Sequence, residues 1–459
     1  MPGSPLAIVC LARRTSAVFA FVRAANNMPA VDWNSALKYA TLTDVGMRRN
    51  NNQDNHCVFI AHDRREWEER GHLFLVADGM GAHAAGELAS KMAADGVPHT
   101  FLKRRDMSPA EALRTAIAEM NTQIHDKGEN QFEFKGMGTT CSALLLAPQG
   151  ALVGHVGDSR VYRLRRGRLE QLSFDHSLVW ELRSAGDLAD AETIHLPKNI
   201  ITRSLGPNAK VEVDLEGPYP IEQGDTFLLC SDGLTGEVND DELGVILDCL
   251  PPEEAARALV DLANLRGGPD NITVVIARVE GAALAGSTST QTAVPAYHRK
   301  GGFLRTVLWL VAALAAAAAL GAAAARDFSV AGAAAGAAVV CALLAVLFKP
   351  RRVVEPRPAT APSRYGTGPH TARDVRASPT IVGELVKTAE QLREAAHDPQ
   401  YQVDAAAFEA LCKQGEQAAA SKDFSGAVAS YCRAISFMMN ELRRQRRRAD
   451  DSNSNASHA

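Results

Sequence analysis

The first half of the chain alternates between short apolar segments and longer amphipathic ones. Between residues 37 and 280, seven short segments that end near Gly, Asp or Asn predict β-strands: HCVFIAH, LFLVADG, CSALLLA, ALVGHVGD, VYRLRRG, TFLLCSDG and NITVVIARV. Short polar turns join consecutive strands, which favours antiparallel pairing. Three longer segments have apolar residues at helical spacing and predict helices: AAGELASKMAADGV, SPAEALRTAIAEMNTQIHD and PPEEAARALVDLANL. These patterns predict an α+β domain with antiparallel sheets.

Two nearly continuous apolar stretches follow a Gly/Ser/Thr-rich linker at 281–302 and together fill residues 303–348. Each is about 20 residues long, which is the length that crosses the hydrocarbon core of a bilayer. Basic clusters flank the pair, HRK before it and KPRR after it, and such residues favour the cytoplasmic side. We therefore predict a transmembrane hairpin. A pair of alanine-rich soluble helices is the alternative.

The rest of the chain predicts a tether and a small helical tail. Residues 349–380 are rich in Pro, Arg, Thr and Ser and predict a disordered basic linker. Residues 381–447 predict two antiparallel helices with the small and aromatic offsets of one tetratricopeptide repeat: Gly415, Ala427, Tyr431 and Ala434. A generic helical hairpin fits this pattern equally well. Residues 1–36 predict a disordered leader or a start codon assigned too early, and 448–459 a disordered end.

Composition and charge narrow the classes of function. The 459 residues carry a net charge of −4, so the basic excess of a nucleic-acid-binding surface is missing and we expect no such partner. The eight cysteines have no C-x-x-C spacing, which indicates neither a zinc site nor a disulfide framework. Most of them lie in apolar runs, as is typical of buried cysteines in a reducing compartment.

Several aspartates stand at the ends of predicted strands, most of them beside Gly or Asn. They are Asp54, Asp78, Asp158, Asp232 and Asp270. Taken singly, an Asp-Gly pair is usually a turn. Several carboxylates at strand ends nevertheless suit a hard cation with oxygen ligands and water, which indicates Mg²⁺ or Mn²⁺.

Eight motifs in this region together resemble the metal-dependent type-2C (PPM) serine/threonine protein phosphatases of bacteria. They are TDVGMRRNNNQD, VADGMGAH, GMGTT, VGDSRVYRLRRG, DHSLV, NIITRSLG, LLCSDGLT and DNITVV, in the order of the family. The resemblance covers essentially all of residues 37–280. It implies a four-layer α-β-β-α sandwich of two antiparallel sheets flanked by helices. It also implies an enzyme that hydrolyses phosphoserine and phosphothreonine.

The resemblance further implies a site with two ions, Mn²⁺ or Mg²⁺. Asp78, Asp232 and Asp270 match the carboxylates around the first metal. Asp78 bridges to the second metal, to which the carbonyl of Gly79 contributes and which Asp54 supports through water. Two such ions would lower the pKa of a bridging water, so that hydroxide attacks the phosphate without a covalent enzyme intermediate.

Arg49 matches the arginine that grips the substrate phosphate. His83 is a candidate proton donor, with a structural histidine as the alternative. Lys135 stands where bacterial members often carry an aspartate of a third metal site, so we expect no third ion unless Glu133 substitutes for that aspartate.

We therefore expect a phosphatase anchored in the bacterial inner membrane, with its catalytic domain and tail in the cytoplasm. Its expected partners are phosphorylated cytoplasmic proteins, including a Ser/Thr kinase, the membrane, and a protein bound by the helical tail. The alternatives are a catalytically weak phosphoprotein sensor and a scaffold. If the enzyme interpretation is right, we expect a fragment that ends at Glu280 to be soluble and active.

Overall fold

The computed structural model describes most of the first half of the chain and most of its C-terminal quarter. The described residues are 36–81, 84–185, 200–281, 284, 295–296, 355–356, 365–397 and 403–457. They belong to two compact units, one formed by 1–286 with 364–459 and the other by 287–363. The predicted leader lies outside the described residues, apart from Ala36.

Two antiparallel sheets form the centre of the first unit. The strands of the first sheet are β1 (Leu37–Asp44), β7 (Arg160–Arg165), β8 (Arg168–Gln171), β10 (Thr226–Cys230), β11 (Ile272–Val279) and β14 (Thr371–Asp374). They lie in the order β1-β11-β10-β7-β8-β14. The strands of the second sheet are β2 (Asp54–Phe59), β3 (His72–Met80), β5 (Cys141–Ala147), β6 (Gly150–Val156) and β9 (Asp214–Tyr219). They lie in that same order, and β4 (Gly138–Thr139) pairs with the end of β3.

Helices connect and cover these sheets. The helices before residue 286 are α1 (Arg64–Arg70), α2 (Ala84–Lys103), α3 (Pro109–Asn130), α4 (Leu178–Ala185), α5 (Asp232–Thr235), α6 (Asp240–Cys249) and α7 (Pro252–Leu265). Those of the tail are α8 (Pro379–His397), α9 (Ala405–Ala420) and α10 (Phe424–Ser457). Helix α3 begins with the capping pattern expected from its sequence, because Ser108 and Glu111 each accept a hydrogen bond from the other's backbone N–H.

Side chains alternate along the strands and separate three apolar layers. Phe74 of β3 and Phe227 of β10 lie in the layer between the two sheets. Leu75 belongs to the layer of α2 and α3, and Leu228 to the layer of α6 and α7. Both faces of each sheet are therefore buried, which explains why the strand segments are apolar almost throughout. The predicted α+β architecture, two antiparallel sheets flanked by helices, is confirmed.

The segment before the tail helices is ordered, contrary to our prediction. A disordered linker through residue 380 is wrong for its last part, because Thr371–Asp374 pairs with β8 as the outermost strand of the first sheet. Val375 comes next and is buried against Gly244 of α6, where a Cβ would lie 2.7 Å from both Val375 methyl carbons. Pairing with the free edge of β8 and packing of Val375 against Gly244 thus order a segment whose composition is typical of a linker.

The tail contains one helix more than predicted. Helices α9 and α10 form the expected hairpin, and Gly415 lies so close to Tyr431 that a Cβ would be 2.7 Å from its ring. Helix α8 precedes this pair. Helix α10 continues to Ser457, so the disordered end predicted from residue 448 is wrong up to that residue. The arginines that follow Glu441 favour helix as far as Ala449, whereas the Asp, Ser and Asn residues after it do not, so the sequence explains only the first part of the extension.

One apolar cluster joins the tail to the helices of the first sheet. It includes Leu259 and Leu262 of α7 together with Val428, Ile435 and Met438 of α10. Helix α10 contacts both α6 and α7. This packing explains how a single helical repeat is stabilised. A fragment ending at Glu280, which we expected to be soluble, would leave this apolar face uncovered.

The second unit is described at one antiparallel pairing, β12 (Pro295–Ala296) with β13 (Glu355–Pro356). The transmembrane hairpin predicted at 303–348 lies outside the described residues. Within the described ranges, no helix is both long enough and apolar enough to cross a membrane.

Candidate active site

Strand ends from both sheets bring the predicted acidic residues together. Asp54 opens β2 and lies opposite Asp78 near the end of β3. Asp232 follows β10, and Asp270 precedes β11, which is the antiparallel neighbour of β10. Asp78 and Asp232 lie close enough to shift each other's pKa, so the acidic side chains of the two sheets face one another. We call Asp54, Asp78, Asp232 and Asp270 the carboxylate cluster.

Burial and mutual repulsion change the acidity of the cluster. Burial, followed by the charges of Asp54 and Asp232, raises the pKa of Asp78 well above its ordinary value. Burial also raises the pKa of Asp54 to about 7, although a hydrogen bond from Ser231 opposes the rise. The pKa of Asp232 is raised by burial and then by the charge of Asp270. Positive charge close to such a group favours its ionised form.

The donor set fits a hard cation. The Oδ1 atoms of Asp54, Asp158 and Asp232 are buried and have no hydrogen-bond partner among the described residues. Buried acceptors without a donor are rare, so these oxygens are suited to a ligand. No three His, Cys, Asp or Glu side chains in the described ranges stand close enough to hold an ion by themselves. Carboxylate oxygens together with water are the ligands that a hard cation such as Mg²⁺ binds in proteins.

Arg49 lies at the rim of the carboxylate cluster. Its Nη2 donates to Asp270 Oδ2 at 2.7 Å, and 50% of its side chain is exposed. Asp270 Oδ1 accepts from the backbone N–H of Asn271 at 2.9 Å. The guanidinium therefore touches the cluster and the solvent at once, in the position where an entering anion would meet it.

Asn271 fixes the loop that carries Arg49, a role that we did not predict. Its Nδ2 donates to the carbonyls of Val45 and Asn51 at 2.9 and 3.0 Å. Its Oδ1 accepts from the backbone N–H of Gln53 at 2.8 Å. The signal in the sequence is an amide beside a strand-end aspartate in DNIT, because an amide both donates and accepts.

Hydroxyl groups hold two members of the cluster, and these contacts were also not predicted. Ser231 Oγ donates to Asp54 Oδ2 at 2.7 Å. Thr140 Oγ1 accepts from the backbone N–H of Asp78 at 2.8 Å, and Thr139 Oγ1 donates to the carbonyl of the same residue at 2.9 Å. These bonds fix the backbone of Asp78 and one oxygen of Asp54.

Gly79 is required by close packing around the cluster. A Cβ at this position would lie 2.1 Å from the carbonyl oxygen of Gly86 and 2.6 Å from that of Gln53. The start of α2 and the loop before β2 can therefore approach β3 only because residue 79 has no side chain. The role of the Gly79 carbonyl as a metal ligand stays a prediction.

The GDSR motif supports the cluster from behind. Ser159 Oγ hydrogen-bonds with Thr140 Oγ1 at 2.8 Å, and Arg160 pairs with the buried Asp175 at 2.7 Å. Burial is the main cause that raises the pKa of Asp158, to about 8. Thr140 in turn accepts from the backbone N–H of Asp78, so the motif braces a member of the cluster.

Other predicted residues are not in the cluster. His83 lies outside the described residues, as does the segment 186–199. Lys135 and Glu133 are exposed, and neither hydrogen-bonds to the cluster in the part of the chain that the structure describes. The absence of a third ion stays a prediction.

Known proteins are similar in sequence to the part of the chain that contains the cluster. The family model described as Protein phosphatase 2C matches residues 48–262. A protein phosphatase 2C-type protein of Streptococcus pyogenes is 38% identical over 250 residues, which cover 53% of this chain and 98% of the relative. A serine/threonine phosphatase stp of Listeria welshimeri is 40% identical over 240 residues, which cover 51% and 92% of the two chains.

This chain belongs to the protein phosphatase 2C family.

Solved 2C-type structures resemble the same half of the chain. The serine/threonine phosphatase PstP/Ppp of Mycobacterium tuberculosis is 36% identical, with a TM-score of 0.47, and the match covers 54% of this chain and 100% of that one. A PstP catalytic domain solved in complex with 2 manganese ions is 34% identical, with a TM-score of 0.44, and the match covers 54% and 99%.

The family model and the two relatives from Streptococcus and Listeria confirm the sequence resemblance and the class of enzyme. The protein is a serine/threonine phosphatase of the 2C type. The roles of its individual site residues stay predictions.

The metal-free phosphatase is expected to lose stability as the pH rises from about 4 to about 8. The pKa of Asp54 rises on folding from 3.8 to about 7, and that of Asp158 from 3.8 to about 8, mainly through burial. Between these values the folded state holds protons that the unfolded state has lost. The stabilising contribution is thus complete below pH 3.8 and lost as the pH passes the folded values.

Thermal denaturation in EDTA across this pH range measures the effect. The fall of the melting temperature with pH should be shallower in Asp54→Asn, because this variant lacks one of the two groups. Mn²⁺ should stabilise the wild type more as the pH rises. Equal slopes for wild type and variant would show that burial of Asp54 does not carry the effect.

Proposed function

We propose that the protein hydrolyses phosphoserine and phosphothreonine in cytoplasmic proteins of a bacterium, with two Mn²⁺ or Mg²⁺ ions held by the carboxylate cluster. The observation that carries this proposal is the cluster itself, in which four aspartates from two sheets converge beside an exposed arginine. The relatives described above are bacterial proteins, which supports the assignment to a bacterium.

The aspartates divide the work of holding the ions by their environments. Asp78 is central, because it pairs with Asp54 across the strands and reaches Asp232 of the other sheet. Asp232 and Asp270 would complete the first site, and the Gly79 carbonyl would contribute to the second. Asp54 would act through water with its free Oδ1, since Ser231 already occupies Oδ2. When bound, two such ions would neutralise the phosphate dianion and lower the pKa of a bound water.

Arg49 orients the phosphate. A guanidinium has five N–H donors in a planar fork, so it can bind two phosphate oxygens while it stays near Asp270. Its half-exposed position lets the phosphate of a folded protein reach it without opening the domain. His83 remains our candidate for protonating the leaving serine or threonine oxygen.

Substrate class is tested with three peptides of one sequence, phosphorylated on Ser, Thr or Tyr. We expect Mn²⁺-dependent phosphate release from the first two and little from the third. Binding of the phosphothreonine peptide without release would instead identify a phosphoprotein sensor.

We also propose that residues 303–348 anchor the phosphatase in the inner membrane, with the catalytic domain and tail in the cytoplasm. The support is the length of the two apolar stretches and the basic flanks on both sides. The full-length protein should stay with the membrane fraction after alkaline carbonate washing, whereas a variant lacking 303–348 should be soluble. Release of the full-length protein by carbonate would contradict the anchor.

A Ser/Thr kinase of the same cell is the proposed substrate of greatest interest. Phosphorylation sites that accumulate in a strain carrying Asp78→Asn would identify the substrates. The tail was expected to bind another protein, but α6 and α7 cover part of its apolar surface. Such a partner would have to bind the remaining face.

A further inference from the structure

Two arginines of α10 pair with the catalytic domain, and they do so at different places. Arg433 Nε lies 2.6 Å from Glu254 Oε2, in a pair that is exposed on both sides. Arg443 Nη1 lies 2.5 Å from Asp261 Oδ1, and its Nη2 lies 3.6 Å from Asp44 Oδ2. Arg443 therefore bridges helix α7 and the end of β1, where the loop that carries Arg49 begins.

The buried carboxylate of Asp261 favours docking of the tail with Arg443 beside it. Its carboxylate is fully buried in α7. Burial raises the pKa of Asp261, and the charge of Arg443 opposes that rise. Loss of the arginine would leave a buried charge without its partner, which is strongly unfavourable. Docking of α10 thus supplies a counter-charge that the catalytic domain needs.

Asp44 connects this ion pair to the active site. Its Oδ1 accepts from the backbone N–H of Gly46 at 2.9 Å and from Asn264 Nδ2 at 3.2 Å. Gly46 has a φ of +80°, and a Cβ there would lie 2.1 Å from the carbonyl oxygen of Asp270. The backbone that Asp44 fixes therefore packs directly against a member of the carboxylate cluster. Three residues further along the same loop stands Arg49.

We propose that Arg443 is a positioning residue, which couples docking of the C-terminal helices to the loop that carries Arg49. While α10 is docked, Arg443 holds Asp44, and Asp44 holds the start of the loop. When α10 leaves, the loop loses one of its supports and Arg49 binds phosphate less well. This inference rests on the proposed function, because it assigns Arg49 to the substrate phosphate.

The test compares Arg443→Ala with Arg433→Ala in the purified full-length protein, in detergent with Mn²⁺. Both variants remove an arginine of α10 that pairs with α7, but only Arg443 also reaches Asp44. For Arg443→Ala we expect KM for a phosphothreonine peptide and the inhibition constant of inorganic phosphate to rise about tenfold. We expect kcat to change less than about twofold, because the carboxylate cluster is intact. Arg433→Ala should match the wild type.

Further variants keep the test decisive. Arg443→Lys retains one charge and should recover part of the lost affinity for phosphate. If Arg443→Ala does not fold, Arg443→Gln, which can still donate to Asp261, replaces it. A lower melting temperature with unchanged KM and phosphate inhibition would overturn the inference, as would an equal effect of Arg433→Ala. A wild type that is inactive but binds phosphate in an Arg443-dependent way would refute the proposed function and leave the coupling intact.

Discussion

Asp78→Asn should lower kcat/KM for a phosphothreonine peptide by about a thousandfold or more. Asp78 is the member of the carboxylate cluster that connects both sheets, since it pairs with Asp54 and reaches Asp232. Asparagine keeps the shape and leaves the backbone contacts of Thr139 and Thr140 in place. It removes the charge on which binding of two cations depends. Initial rates at saturating Mn²⁺ measure the loss.

Asp78→Asn should stabilise the metal-free protein, although it lowers the activity. The charges of Asp54, Asp232 and Asp270 all act against ionised Asp78, so the metal-free variant should melt at a higher temperature than the wild type at pH 8. Asp95→Asn is the matched control, because Asp95 lies on α2 with 74% of its side chain exposed. It should change neither property. Retention of a tenth of the wild-type activity by Asp78→Asn would exclude a central role for this carboxylate.

Arg49→Ala should lower kcat/KM by about a hundredfold, with most of the loss in KM. The arginine pairs with Asp270 at a half-exposed position, so its removal should leave the fold intact. Arg49→Lys should recover little, because an ammonium cannot bind two phosphate oxygens with a planar fork. The half-saturating Mn²⁺ concentration should not rise, since Asp270 loses a competitor for its Oδ2.

Arg48→Ala is the control for charge in this loop. Arg48 is the neighbouring arginine and its side chain is exposed. If Arg48→Ala and Arg49→Ala weakened phosphate binding equally, the effect would come from the net positive charge of the loop. A specific contact between the Arg49 guanidinium and the phosphate would then not explain the loss of phosphate binding.

The cluster could be predicted from the sequence because its members stand at strand ends. An aspartate beside Gly or Asn next to an apolar run marks the end of a strand. The resemblance of the motifs to the family then indicated which of these aspartates lie together. The contacts that hold the cluster could not be read in this way. Asn271 reaches back to Val45 and Asn51, and Ser231 reaches Asp54, across more than 170 residues of chain. Such bonds depend on which strand ends meet, and the register of the sheets decides that.

The position at which the tail docks could not be predicted from the sequence. Its own pattern predicts a hairpin, since small residues such as Gly415 leave room for rings such as Tyr431. Nothing in that pattern shows where the hairpin docks or that Val375 finds a slot over Gly244. The structure shows what the tail covers, because nearly every residue of α7 from Ala255 to Asn264 is buried. A helix without a solvent-facing side needs cover on both sides, and the sheet supplies only one of them.

The most direct measurement is phosphate release from a phosphothreonine peptide by the purified wild type as Mn²⁺ is titrated from an EDTA-treated start. We expect no turnover in EDTA, a rise that saturates with Mn²⁺, and no such rise in Asp232→Asn. Turnover that persists in EDTA, or equal Mn²⁺ dependence in Asp232→Asn, would contradict a phosphatase that works through cations held by the carboxylate cluster.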